Sequence, residues 1–239
     1  MKDPTIGTSR GRYHHGDLRN ALLDASLALI AEHGVEAFSL REAAREVGVS
    51  PAAAYRHFED KDALLAALAR DAFDRLAHLM ERAISRVPGE PGTAGHAVAA
   101  FFAVGVAYVE FAVQHPSQFR VMFGPWCPRE QVVAAGVQPG QREGYTILVD
   151  SLDALVASGA VRAEARAGAE IAAWSMVHGL ASLIVEGSVQ LTKAERGQAT
   201  RHTARMLLAA LGCDAALLGP PEAPLDTDPC ARTASGRKR

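Results

Sequence analysis

The chain has 239 residues, enough for one large domain or two modest ones, and its 49% share of hydrophobic residues is that of a folded core. A net charge of −2 and a pI near 6.5 exclude the strong basic excess that would by itself mark a nucleic-acid binder, so contact with an anionic polymer requires basic groups gathered on one face. Cys127, Cys213 and Cys230 are widely spaced and form no CxxC pair, which points away from a disulfide framework and from a zinc site. No apolar run is read as reaching the ~18 residues of a membrane span, and the N-terminus lacks a signal-peptide pattern. A soluble, cytoplasmic protein is expected, with no membrane partner, cofactor or metal.

Residues 1–16 carry Gly, Ser, Arg and the pair His14-His15 without apolar periodicity and read as a flexible arm. The two histidines have no third ligand at metal-binding spacing. From there, Leu18, Leu22, Ala25 and Leu29 give the stripe of an amphipathic helix, capped by Asp17 and stopped at Gly34. Residues 39–61 are the most punctuated stretch. Ser39 and Glu42 have capping-box spacing, and the helix they open runs to Glu46 and stops at Gly48. Ser50 caps a second helix with Pro51 at its first position, where the missing N–H would be unpaired in any case. Two short helices about a glycine turn make a helix-turn-helix, whose second helix lies in the DNA major groove. Asp60 then caps a fourth helix that turns Leu64, Leu65, Leu68, Ala72, Leu76 and Leu79 inward and ends near Val87.

Residues 88–95, dense in Pro and Gly, read as a linker. A helix from His96 to Gln114 carries Phe101, Phe102, Tyr108 and Phe111. A turn at His115-Pro116 runs through Phe119, Met122 and Phe123, followed by a broken segment over 124–140. Helices are expected over 141–158, 164–189 and 193–211. With no convincing period-2 strand the fold class is all-α. The expected organisation is an arm (1–16), a helix-turn-helix domain with connecting helix (17–87), a C-terminal ligand-binding and dimerisation domain (96–212) and a disordered tail (213–239).

On a helix from Pro51 to Phe58, Ala54 and Phe58 share the packed face, and Ala52, Ala53, Arg56 and His57 the presented one. Arg56 can pair bidentately with guanine, while the alanine methyls can touch thymine methyls. Tyr55 at the edge would reach a phosphate, and Lys61 would add a point charge. Arg41 and the two caps, Ser39 and Ser50, complete the candidate DNA-contacting set, with Arg10 and Arg12 of the arm entering the minor groove. Two other classes remain. Gly48-Val-Ser50-Pro-Ala52 has the look of a nucleophile elbow, which would make Ser50 a hydrolase nucleophile, but that motif needs a preceding strand and here follows the helical, charged pair Arg45-Glu46. A helical adaptor that no longer binds DNA is the other.

These residues carry a resemblance. Residues 12–68, above all the run from Ser39 to Pro51 with Tyr55-Arg-His-Phe and Lys61, resemble the DNA-binding domain of the tetracycline-repressor (TetR) family of transcriptional regulators. The resemblance implies a homodimer, a double-stranded operator with two half-sites, and a divergent helical C-terminal domain that binds a small ligand or a partner. At the third position of the recognition helix the family's usual larger residue is replaced by Ala54. Trp174 and His178-Gly179, with Phe111, His115-Pro116, Phe119-Arg120 and Met122-Phe123-Gly124-Pro125 upstream, resemble a smaller group of that family named for a Trp-His-Gly signature.

Trp174 and His178 stand one helical turn apart. They either wall a ligand pocket together with Phe101, Tyr108 and Met122, or are a buried Trp and a hydrogen-bonded core His; Glu186, later on that helix, is an acidic partner or simply exposed. The last two long helices, with Ala172, Ala173, Met176, Val177, Leu180, Leu183, Ile184, Met206, Leu207 and Leu211, are apolar over a wider arc than one core needs. A second copy across a two-fold axis would cover the excess and set two recognition helices ~34–36 Å apart. The function expected is sequence-specific DNA binding by a transcriptional regulator, a repressor that leaves a palindromic operator when a small apolar effector enters the C-terminal domain.

Overall fold

The computed structural model describes residues 15–128, 130 and 143–220, and every regular element among them is helical. The expected arm with Arg10 and Arg12, most of the expected broken segment, and Cys230 with the rest of the chain beyond residue 220 lie outside the described residues. Helix α1 (His15–Ala37) starts two residues ahead of the expected Asp17 cap and is broken at Gly34, whose φ of 82° leaves the helical region. Its buried line is Leu22, Ser26 and Ile30, with Leu18, Ala25 and Leu29 only flanking it. The stripe was misplaced because Ser26 reads as polar. Its hydroxyl donates to the Leu22 carbonyl at 2.6 Å, which satisfies it inside its own helix and admits it to the core.

Helix α2 (Leu40–Val47) is capped by Ser39, whose Oγ accepts from the Glu42 amide at 3.3 Å. The Glu42 carboxylate receives the Ser39 hydroxyl at 3.0 Å rather than the Ser39 amide, so the expected reciprocal box is half formed. At the end of α2, Gly48 (φ 78°, ψ 27°) donates its N–H to Arg45, and Val49 donates to Ala44 at 2.9 Å. That pair of bonds closes the helix and redirects the chain within two residues, which only a residue at ease with positive φ allows. Helix α3 (Pro51–Tyr55) is shorter than the expected run to Phe58, because the His57 and Phe58 amides both turn back to the Ala54 carbonyl. Helix α4 (Lys61–Ile84) is capped by Asp60, which accepts from the Ala63 amide at 2.7 Å, and stops short of Val87. Every residue over 64–69 is buried, so α4 is enclosed around its whole circumference there.

Helices α5 (Ala94–Gln114), α6 (Pro116–Phe123), α7 (Gly144–Ala157), α8 (Ala169–Val185) and α9 (Lys193–Ala210) form a second bundle with α5 at its centre. By length and composition α5 could cross a bilayer, with a mean hydropathy of 1.8, which corrects the expectation that no run of that size exists. Half of that window is buried among its neighbours. The expected turn through Phe119, Met122 and Phe123 is α6, two helical turns opened by Pro116. The helix expected over 164–189 is a short 3₁₀ turn, Ala163–Ala165, then Gly168 at φ 76°, then α8. A full capping box, unread in the sequence, joins Thr192 and Glu195 at the start of α9.

A two-pronged pair, Arg196 on α9 to Glu110 on α5 at 2.9 and 3.1 Å, clamps the bundle. Burial pushes the Glu110 carboxyl up, yet hydrogen bonds and charge from Arg196 more than offset that and leave it below the usual carboxylate range. The chain expected to be disordered from 213 folds on through α10 (Ala215–Leu218): Cys213 and Leu218 are buried, and Arg205 donates to the Gly219 and Pro220 carbonyls at 2.7 and 2.6 Å.

Lys61 fastens α4 to α1. Its Nζ donates to the carbonyls of Val35 at 2.7 Å and Glu36 at 3.1 Å and lies 5.8 Å from the Phe38 ring centroid, meeting carbonyls left open where Gly34 breaks α1. Lys61→Met keeps the stem and removes those bonds. Thermal unfolding followed by circular dichroism is expected to show a loss of about 1–2 kcal/mol and a Tm several degrees lower; an unchanged curve would mean the ammonium contributes nothing to the fold.

Candidate functional site

A helix of five residues does not hold its own shape in water. Helix α3 is held by Ser50, whose Oγ accepts from the Ala53 amide at 3.3 Å, by Pro51, and by a buried floor of Ala54 and Phe58. Ala54 has no exposed surface, so a larger side chain there would have to open the core. The Arg19 guanidinium of α1 lies 5.2 Å from the Phe58 ring centroid and covers that floor from the side.

The opposite face is presented. Ala52 and Arg56 are exposed, Tyr55 is 44% exposed, and Ala53 and His57 are half-buried. Arg41 and Arg45 of α2 are exposed beside it, Arg45 lying 3.8 Å from Glu42. Of the expected contact residues, Ser39 and Ser50 act as caps, and Lys61 directs its ammonium into α1 instead of outward. The element before Ser50 is helix α2, where a nucleophile elbow needs a strand. What remains of the expected set on the surface is two guanidinium forks, Arg41 and Arg56, with a phenol, an imidazole and two methyl groups, a set suited to guanine edges, phosphates and thymine methyls in a major groove.

A second site lies in the bundle. Phe101 and Tyr108 of α5, Met122 of α6, and Trp174 and His178 of α8 all line one cavity of about 1090 Å³, which α4, α7 and α9 complete. Leu76 and Met80 of α4, Phe123 of α6 and Leu207 of α9 belong to the same wall. Spacing marks such residues as inward-facing, but it does not distinguish a packed core from the lining of a hole. His178 sits within a ring of aromatics, 4.8 Å from the Phe123 centroid and 5.3 Å from that of Phe119. The Tyr108 hydroxyl and His178 Nδ1 are 2.8 Å apart. Burial drives the Tyr108 phenol well above its ordinary range, against a hydrogen bond from Trp174, and burial holds the His178 imidazole below its own, so it is neutral at pH 7. The pair therefore both faces the cavity and is hydrogen-bonded. Glu186 is exposed just past α8 and lies outside the cavity wall.

Residues 22–68 match the family model for bacterial regulatory proteins of the tetR family, and residues 101–211 match that for the tetracyclin repressor-like C-terminal domain. An uncharacterized HTH-type transcriptional regulator of Haemophilus influenzae is 35% identical over 105 residues, 44% of this chain and 48% of that protein, so the match spans about half the length of this curated relative. A solved protein of unknown function from Rhodococcus sp. RHA1 is 32% identical with a TM-score of 0.67, over 83% of this chain and 97% of that one. RolR, solved in complex with its ligand resorcinol, has the same fold at 15% identity and a TM-score of 0.56, over 88% of this chain and 97% of RolR. With a helix-turn-helix that presents a reading face and a C-terminal bundle that both match in one chain, the protein belongs to the tetR family of DNA-binding transcriptional regulators.

Proposed function

We propose that this regulator is a ligand-responsive repressor, a cytoplasmic homodimer that holds a palindromic operator and releases it when a small apolar molecule fills the cavity of the C-terminal bundle. It acts by binding alone. The observation that carries the reading is the double membership of two helices. Leu64, Leu65, Ala67 and Leu68 of α4 belong to the core that also holds Ala54 and Phe58 of the helix-turn-helix, while Leu76 and Met80 of α4 face the cavity; on α6, Val121 joins that same core, while Met122 and Phe123 line the cavity. An occupant that displaces Phe123 shifts a helix whose neighbouring side chain supports the DNA-reading unit. Such a ligand drives release to the extent that it prefers the DNA-incompetent arrangement. RolR, of like fold, holds a small aromatic ligand.

The pairing of two copies rests on α8 and α9. Ala172, Gly179 and Leu183 lie along the outer side of α8, and Ile171, Leu183 and Met206 are 56%, 45% and 57% exposed. Among the described residues a Cβ added at Gly179 would meet nothing within 4 Å, so the helix surface there is open. A self-complementary helix pair suits such a stripe.

Two outcomes are expected. Arg56→Ala lowers the preference for operator over random DNA at least about tenfold in a gel shift with the DNA upstream of the gene, with Tm unchanged; full selectivity in the variant would remove Arg56 from the reading face. Leu183→Glu converts the dimer to monomer in sedimentation and weakens operator binding with it, and a persisting dimer would place the interface elsewhere.

A further inference from the structure

We propose that the His178 Nε2–H is the polar anchor of the cavity, and that the ligand is a neutral, apolar molecule carrying one carbonyl-class acceptor oxygen. This specifies the ligand-responsive reading above and rests on it. The Tyr108 side chain is buried, so its hydroxyl hydrogen needs an acceptor within the protein. Among the described residues the acceptor in reach is His178 Nδ1 at 2.8 Å. The other tautomer would aim the Nδ1–H at the phenol oxygen and leave the hydroxyl hydrogen without an acceptor. With Nδ1 accepting, the neutral imidazole carries its proton on Nε2.

The relay runs from phenol to imidazole and ends in a single donor. Among the described residues no partner is seen for Nε2, and His178 lies half-buried on the cavity wall, so the group that completes this donor comes from the occupant. Its surroundings set the rest of the ligand. Phe119 and Phe123 flank the imidazole, and Val104, Met122 and Leu76 continue the wall. The charged lining residues, Arg19, Arg70, Asp71, Asp74 and Glu143, are exposed or half-exposed and of both signs, so they offer no buried counter-charge to an ionised ligand. The helical spacing of Trp174 and His178 places both on one side of α8, where they line the cavity with ring centroids 6.3 Å apart.

The test uses the hydrocarbon dye diphenylhexatriene as reporter, displaced by benzophenone or by its deoxygenated counterpart diphenylmethane, on the full chain and on His178→Phe and Tyr108→Phe. Benzophenone is expected to displace the dye from the unaltered protein at a concentration about tenfold lower than diphenylmethane. The ratio falls to near unity in His178→Phe and part of the way in Tyr108→Phe, where the tautomer is no longer held, while dye affinity stays within about twofold in both, which also reports that each variant folds. A ratio near unity in the unaltered protein, or a ratio that survives His178→Phe, overturns the anchor. Should the dye load and loosen the operator complex while the ratio is unity, the ligand-responsive reading stands and the anchor alone falls. A dye that never loads overturns both.

Discussion

One helix is buried twice. Helix α4, about 36 Å long at 1.5 Å per residue, is enclosed over 64–69 beneath the helix-turn-helix and again at Leu76, Ala77 and Met80 in the C-terminal bundle. A hydrogen-bonded helix does not stretch, so a change of tilt at one end is a displacement at the other. Lys61 ties the upper end to the carbonyls of α1, and α1 packs on α2, which packs on α3. The reading unit is therefore steered as one body. Close-packed interiors yield by small discrete shifts rather than by smooth deformation, which suits them to switching.

The reading face owes its stability to what lies under it and its chemistry to very little. Ala54 lets α3 sit flush on its floor, and Ala52 and Ala53 add methyl groups but no donors. With Lys61 turned inward, the hydrogen-bonding groups left on α3 and the turn after it belong chiefly to Tyr55, Arg56 and His57. In the dimer proposed above, shape and the separation of two half-sites supply the remaining selectivity.

Where the sequence was legible, the rule at work was local. Ser39, Gly48, Ser50 and Pro51 act on amides one to three residues away, and the elements they announce are present. The burial of Ala54 and Phe58 followed from the same register. Errors arose where a local signal admitted two outcomes or a distant partner decided. Ser26 entered the core through a bond to its own helix, Lys61 was claimed by the end of α1, and Pro116, read as a turn, opened a helix. The chain after Gly212 has the composition of a tail, yet Arg205, a helix away, holds its carbonyls. In the cavity, Phe101, Tyr108, Met122, Trp174 and His178 converge from three helices. No spacing within one helix reveals that Tyr108 meets His178, since the two stand 70 positions apart in the chain.

The apolarity of α5 has a consequence for how the chain is made. Helix α4 and the Phe-rich face of α6 are next to it in sequence, but much of its cover comes from α8 and α9, which are synthesised later. Until they emerge from the ribosome, the nascent chain displays a segment with the length and hydropathy that insertion machinery selects, and unpaired apolar surface of that size is prone to associate. The half-buried Glu110 within that helix is the one acidic group in it and finds its arginine only when α9 arrives. Completion of the bundle thus coincides with the pairing of that charge, and α8 and α9 decide whether α5 becomes a core or remains a liability.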